Sequence, residues 1–223
     1  MRHRKTYIAL FSACLLLAPD HEAAAQSKLY PRLFDLQEVT LGDGVFKQAM
    51  ELNDQTLLEY DVDRLLTPFF RQAGFTDWEQ QHPNFQNWGS GNFRLDGHVG
   101  GHYLSALALA YAASKDEDTR AKMKERMDYM VDMMDSCQRV FDDNTDGLYG
   151  YIGGLPDNNV WTGIYRGNLT AYNNNRGNVP LYVMHKVYAG LRDAYVYGGN
   201  EKAKACFLKL CDWGVNLISN IND

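Results

Sequence analysis

Cysteine is scarce in this chain: four residues among 223, at positions 14, 137, 206 and 211, with no paired or zinc-ribbon spacing. That excludes a disulfide-stapled miniature domain and a structural zinc module built on repeated cysteine pairs. Cys206 and Cys211 stand five apart on an expected helix and so point in different directions. Buried apolar thiols are therefore expected for Cys137, Cys206 and Cys211. Positive charge is also in short supply, 22 Lys and Arg against 28 Asp and Glu, with no basic cluster. This balance speaks against a nucleic-acid partner. Charged residues of both signs make up only 22% of the chain while 45% is hydrophobic and 13% aromatic, which excludes disorder and demands a real core. The apolar run Tyr7 to Ala18 is shorter than the roughly 20 residues that span a bilayer, so no transmembrane segment is expected.

That run has another reading. It follows Arg2, Arg4 and Lys5 and precedes Ala23-Ala24-Ala25, the order of a secretory signal peptide over residues 1–25. The expectation is export, to the periplasm or the medium, with lipid attachment through Cys14 as the alternative. Three domain segments follow: the leader at 1–25, a lead-in at 26–44, and a helical body at 45–223.

In the lead-in, Leu33 to Leu41 alternates apolar and polar residues and ends at Gly42-Asp43-Gly44, which predicts a short strand and turn. Val45 to Phe70 has helical periodicity, with a break or kink expected at Pro68. Thr76 to Arg94 has no periodicity and carries Trp78, His82, Phe85, Trp88 and Phe93. From Tyr103 to Ala113 only Ser105 is polar, and a helix that is apolar all round must be enclosed. Its entrance holds His98 and His102, which share a face about 5–6 Å apart if the helix runs through both. Gly97, Gly100 and Gly101 favour a later start and a place where something approaches the backbone closely, which suits a ligand. Three readings stay open for the histidines: a two-ligand metal site lacking a third ligand and an adjacent glutamate, imidazoles that satisfy backbone groups, or hydrogen bonding to a substrate.

Asp116, Asp118 and Thr119 are cap candidates for a helix whose Met123, Met127, Met130, Val131, Met134 and Cys137 recur at steps of three and four, a core stripe. Asp142 to Val179 is long, irregular and rich in Gly, Asn and aromatics, the mark of a functional loop. Tyr182 to Tyr197 and Glu201 to Ile221 then repeat the earlier pair. His102…Ala106…Ala110-Tyr111…Asp116-Glu117 matches His185…Ala189…Ala194-Tyr195…Asn200-Glu201 with one residue of slip. Each half is a hairpin of one buried and one half-exposed helix, and such units need stacked neighbours. The fold class is all-α, an α/α-toroid or solenoid with long aromatic loops.

In a toroid the loops entering the inner helices gather at one end. Rings that cover apolar sugar faces, with imidazole, amide and acid groups for the hydroxyls, make a carbohydrate site. The candidates are His98, His102, His185, Asp96, Trp88, Trp161 and Asn178. A hydrolase using paired carboxylates would draw on Glu79, Asp96, Asp146 or Asp157.

The segments LDGHVGGHYLSALALAYA (95–112), VPLYVMHKVYAGLRDAYVYGGNEKA (179–203), DVDRLLTPFFRQAGF (61–75) and DGLYGYIG (146–153) resemble the amino-terminal half of the catalytic domain of glycoside hydrolase families 127 and 146, from about Leu33 onward. The resemblance implies a toroid (six-hairpin barrel) of which this chain is a fragment, and release of terminal β-L-arabinofuranose from plant glycans, so an oligosaccharide or plant polysaccharide is the partner. It also implies a cysteine nucleophile on zinc and a glutamate acid/base. None of Cys137, Cys206 or Cys211 matches that motif, so no catalytic residue, zinc ligand or other cofactor is assigned here, and the chain alone is expected to be inactive. The alternative is an exported carbohydrate-binding module of helical repeats.

Overall fold

The structure is a computed structural model that describes residues 33–85, 95–156, 158–173 and 179–221. The leader, Trp88, Asp157 and Asn178 lie outside those residues. Two units are distinguished, residues 1–38 and 39–223.

In the first unit Leu36–Glu38 is a single 3-10 turn, closed by Glu38 N–H to the Asp35 carbonyl at 2.8 Å and by Asp35 N–H to the Glu38 carboxylate at 2.8 Å. This replaces the strand expected over Leu33–Leu41, and no strand occurs among the described residues. Residues 33–41 are all exposed. Alternation alone does not make a strand when no neighbour takes up its backbone groups.

The second unit is all-helical. Its helices are α1 (Val45–Glu59), α2 (Val62–Gln72), α3 (Thr76–Gln81), α4 (His98–Ala113), α5 (Glu117–Arg139), α6 (Asn159–Tyr165), α7 (Thr170–Asn173), α8 (Pro180–Val196) and α9 (Glu201–Ile218). The break expected at Pro68 falls instead at Tyr60-Asp61. Asp61 caps α2 by accepting from the backbone N–H groups of Asp63 and Arg64, and Pro68 stays inside α2, buried. Asp142–Val179 is not wholly irregular, since it contains α6 and α7, each too short to show a period in sequence.

Two hairpins, α4–α5 and α8–α9, form the frame. α4 packs along α8 more extensively than any other described pair, and α5 touches α9. The caps repeat as the sequence does: Asp116 accepts from Thr119 N–H at 2.8 Å, and Asn200 accepts from Ala203 N–H at 2.7 Å. Pro180, with its fixed φ, opens α8. The core gathers the methionine stripe of α5, Leu104 and Leu107 of α4, Val187 and Leu191 of α8, and Leu210 and Trp213 of α9. The buried segment after α5 is pinned to both hairpins. Gln138 Nε2 donates to the carbonyls of Gly150 (2.8 Å) and Cys206 (3.0 Å), and Trp213 Nε1 donates to the Gly147 carbonyl at 3.0 Å. No described helix is long and apolar enough to cross a membrane.

Candidate sugar site at the helix entrances

α4 begins at His98, earlier than its glycines suggested. Gly97 precedes it with φ +92°, a left-handed conformation that a side chain would strain, and Gly100 and Gly101 lie inside the helix. What approaches their backbone is the protein itself. A Cβ on Gly101 would lie 2.4 Å from the Lys186 carbonyl group, one on Gly100 2.7 Å from the Phe69 ring, and one on Gly190 2.6 Å from the Gly101 carbonyl oxygen. Two helices so close set the residues beside the contact next to one another: His102 on α4, and His185 and Lys186 on α8.

The rings form a continuous run across that contact. His98 and His102 have centroids 6.1 Å apart at 81°, His98 and Tyr182 6.1 Å, and Tyr182 and His185 5.1 Å at 73°. The Lys186 ammonium stands 5.0 Å from the centre of the Tyr182 ring. The three histidines singled out in sequence are thus brought together, in unequal settings. His98 is buried, with Nδ1 donating to the Leu95 carbonyl, so it does satisfy a backbone group at the helix start. His102 and His185 are exposed. Partial burial holds the His102 imidazole below its ordinary pKa, and the neighbouring Lys186, His98 and His185 push in the same direction. At neutral pH His102 is a neutral ring that both donates and accepts.

Asp96 sits beside this run but faces elsewhere. It is buried, with one carboxylate oxygen 2.5 Å from Arg71 Nη2 and the other 3.2 Å from Asn84 Nδ2. Burial raises its pKa, and Arg71 and Asn84 work against that rise. Glu79 shares the same guanidinium at 3.2 Å. A small cleft at this point is lined by Asn84, Phe85, Asp96, Gly97, His98 and Gly100. Trp161 is fully buried, its ring packed against Tyr151 and Trp213, so neither face is open to a sugar. Asp146 is ion-paired with Arg166 on the surface, apart from the Arg71 group. Tyr182 and Lys186 escaped the sequence reading, although Tyr182 stands three residues before His185 and four before Lys186, both spacings that make neighbours on a helix surface.

The zinc–thiolate centre implied by the family resemblance does not fit the described cysteines. Burial pushes the thiols of Cys137 and Cys206 up to about 12, whereas a ligand thiol must lose its proton. No described group of three potential metal ligands includes a cysteine. The group whose ligand atoms do converge, within 4.8 Å, is Asp61, Asp63 and His82. Two of its members already have partners: Asp61 caps α2, and Asp63 accepts the Tyr129 hydroxyl at 2.6 Å.

The described residues form an all-helical domain of paired hairpins, with imidazoles gathered at the starts of two of its helices. The chain belongs to the β-L-arabinofuranosidase, GH127 catalytic domain family, whose sequence model matches residues 38–223. No curated protein matches it.

Proposed function

We propose that this domain binds the terminal β-L-arabinofuranose of plant glycans at the α4 and α8 entrances, with His102 and His185 pairing sugar hydroxyls and His98 fixing the start of α4. The observation that carries this reading is the run His102, His98, Tyr182, His185 across the α4–α8 contact, in a member of this family. A neutral imidazole offers one donor and one acceptor, which matches the dual character of a hydroxyl. Asp96 supports the site in this reading by holding Arg71 and Asn84 near the His98 turn. Residues 1–25 direct the chain to export.

The settings of Cys137 and Cys206 favour a second element of the reading: the nucleophile, zinc ligands and acid/base are not among the described residues, and this chain alone binds without cleaving. The test is calorimetry with methyl β-L-arabinofuranoside, together with arabinose release from a chromogenic arabinofuranoside. The expected result is saturable binding without release, and about tenfold weaker binding for His185→Ala at unchanged melting temperature, the loss of one hydrogen bond. Unchanged affinity with a collapsed melting temperature would make His185 structural. Release of arabinose by the chain alone would refute the assignment of catalysis elsewhere.

A further inference from the structure

We propose that Tyr182 and Lys186 are positioning residues of this site: Tyr182 spaces and orients the imidazoles of α4 and α8, and Lys186 sets a fixed positive charge beside His102 so that this imidazole meets the sugar in its neutral form. The proposal rests on the reading of the site as a sugar site, and four observations carry it. The Tyr182 ring is the one described group in ring contact with histidines of both helices, His98 on α4 and His185 on α8. It is half-buried, so its orientation is held by packing. The Lys186 backbone lies against Gly101, the residue preceding His102, at a contact too close for any side chain, which sets the lysine beside the start of α4. Its ammonium is also held over the Tyr182 ring, 5.0 Å from the centre, by attraction to the ring face.

The electrostatics follow from this placement. The charged or titratable groups acting on His102 are His98 from its own helix, and Lys186 and His185 from α8. Among the described residues no carboxylate is one of them. Asp96, the nearest acid in sequence, is buried and engaged by Arg71 and Asn84. Every described neighbour that can carry charge therefore opposes protonation of His102. The sign is fixed: removing the Lys186 charge makes protonation easier and moves the His102 midpoint upward. A protonated imidazole has two donors and no acceptor. Affinity for a neutral sugar should then fall on the acid side of the midpoint and stay flat on the alkaline side.

The experiment is an NMR titration of the histidine ring protons, without sugar, in the full chain and in Lys186→Met, Lys186→Arg, Tyr182→Phe and Tyr182→Leu. Calorimetry with methyl β-L-arabinofuranoside at pH 6 and pH 8 accompanies it. Methionine keeps most of the apolar stem that packs near Tyr182, and arginine restores the charge. In Lys186→Met the His102 midpoint should move upward, with binding about twofold weaker at pH 6 and unchanged at pH 8. Lys186→Arg should restore both. Tyr182→Phe should bind like the parent, while Tyr182→Leu should lose about tenfold, the worth of one edge-to-face ring pair. A His102 midpoint that does not move in Lys186→Met, or Tyr182→Leu binding at full strength, overturns the proposal. If the parent binds no sugar at either pH, the reading of the site falls. The ring titration, which needs no ligand, still decides what Lys186 does.

Discussion

The hairpins α4–α5 and α8–α9 are built on one plan and end in different surroundings. Both start near a histidine, both turn through a capping Asp or Asn, and both bury a stripe of their second helix. On α5 the side chains of Met123, Met127, Met130 and Met134 are wholly buried, and the opposite face carries Lys122, Glu125 and Asp132. On α9 the stripe Ala203, Cys206, Leu210, Trp213 and Leu217 is buried, yet Leu208, Val215 and Ile218 stand 53%, 70% and 60% exposed. α5 is flanked by α2, α4 and α9, whereas α9 meets α5, α6 and α8. The same local pattern thus yields a finished outer helix in one place and a helix with a second, open apolar side in the other. Pattern sets which residues can be buried, and neighbours decide which are.

The sharpest way to break the comparison is at its hinge. Gly101→Leu puts a side chain against the Lys186 backbone, which cannot give way, so α4 and α8 must part. The expected loss is about 4 kcal/mol or more, read from the urea midpoint at constant slope. Next comes Met130→Ala on the buried stripe, with an expected loss of about 3 kcal/mol and a more heat-labile domain. The caps test whether the hairpins are equivalent at their turns. Asp116→Ala and Asn200→Ala should each cost about 1 kcal/mol. Unequal losses would show that one turn is held by other contacts. Smallest of all is Leu208→Ser, expected within about 0.5 kcal/mol of the parent. A loss as large as that of Met130→Ala would mean that the outer side of α9 is covered after all.

Much of this frame was legible in the sequence. The repeat set out the two hairpins, period-three-and-four spacing gave the methionine stripe, and Asp116 stood among the cap candidates, because those features depend on residues near in sequence. The failures came where a distant neighbour decides. Leu33–Leu41 alternates like a strand but has no partner, so it forms a 3-10 turn. Leu109 on α4 was expected to be enclosed and is exposed, so that helix keeps an open stripe with His102. The glycines of α4 were read as a late helix start and a place for a ligand, whereas the helix runs through Gly100 and Gly101 and what comes close is the Phe69 ring of α2 and the Lys186 backbone of α8. At the site, helical spacing paired His98 with His102, and the reading of stacked hairpins brought in His185. Composition promoted Trp161 on its aromatic character alone, and the structure packs that ring among Tyr151 and Trp213. Tyr182 and Lys186 were passed over because one is ordinary core chemistry and the other ordinary surface chemistry until the helix beside them is known.

The account stands on the imidazoles of His102 and His185 touching one sugar. The direct measurement is the NMR signal of the histidine ring protons during a titration with methyl β-L-arabinofuranoside at neutral pH. Saturable shifts at His102 and His185 with a common midpoint, and a smaller response at buried His98, are the predicted result. Unmoved signals at both exposed histidines, with sugar bound elsewhere or not at all, would contradict it.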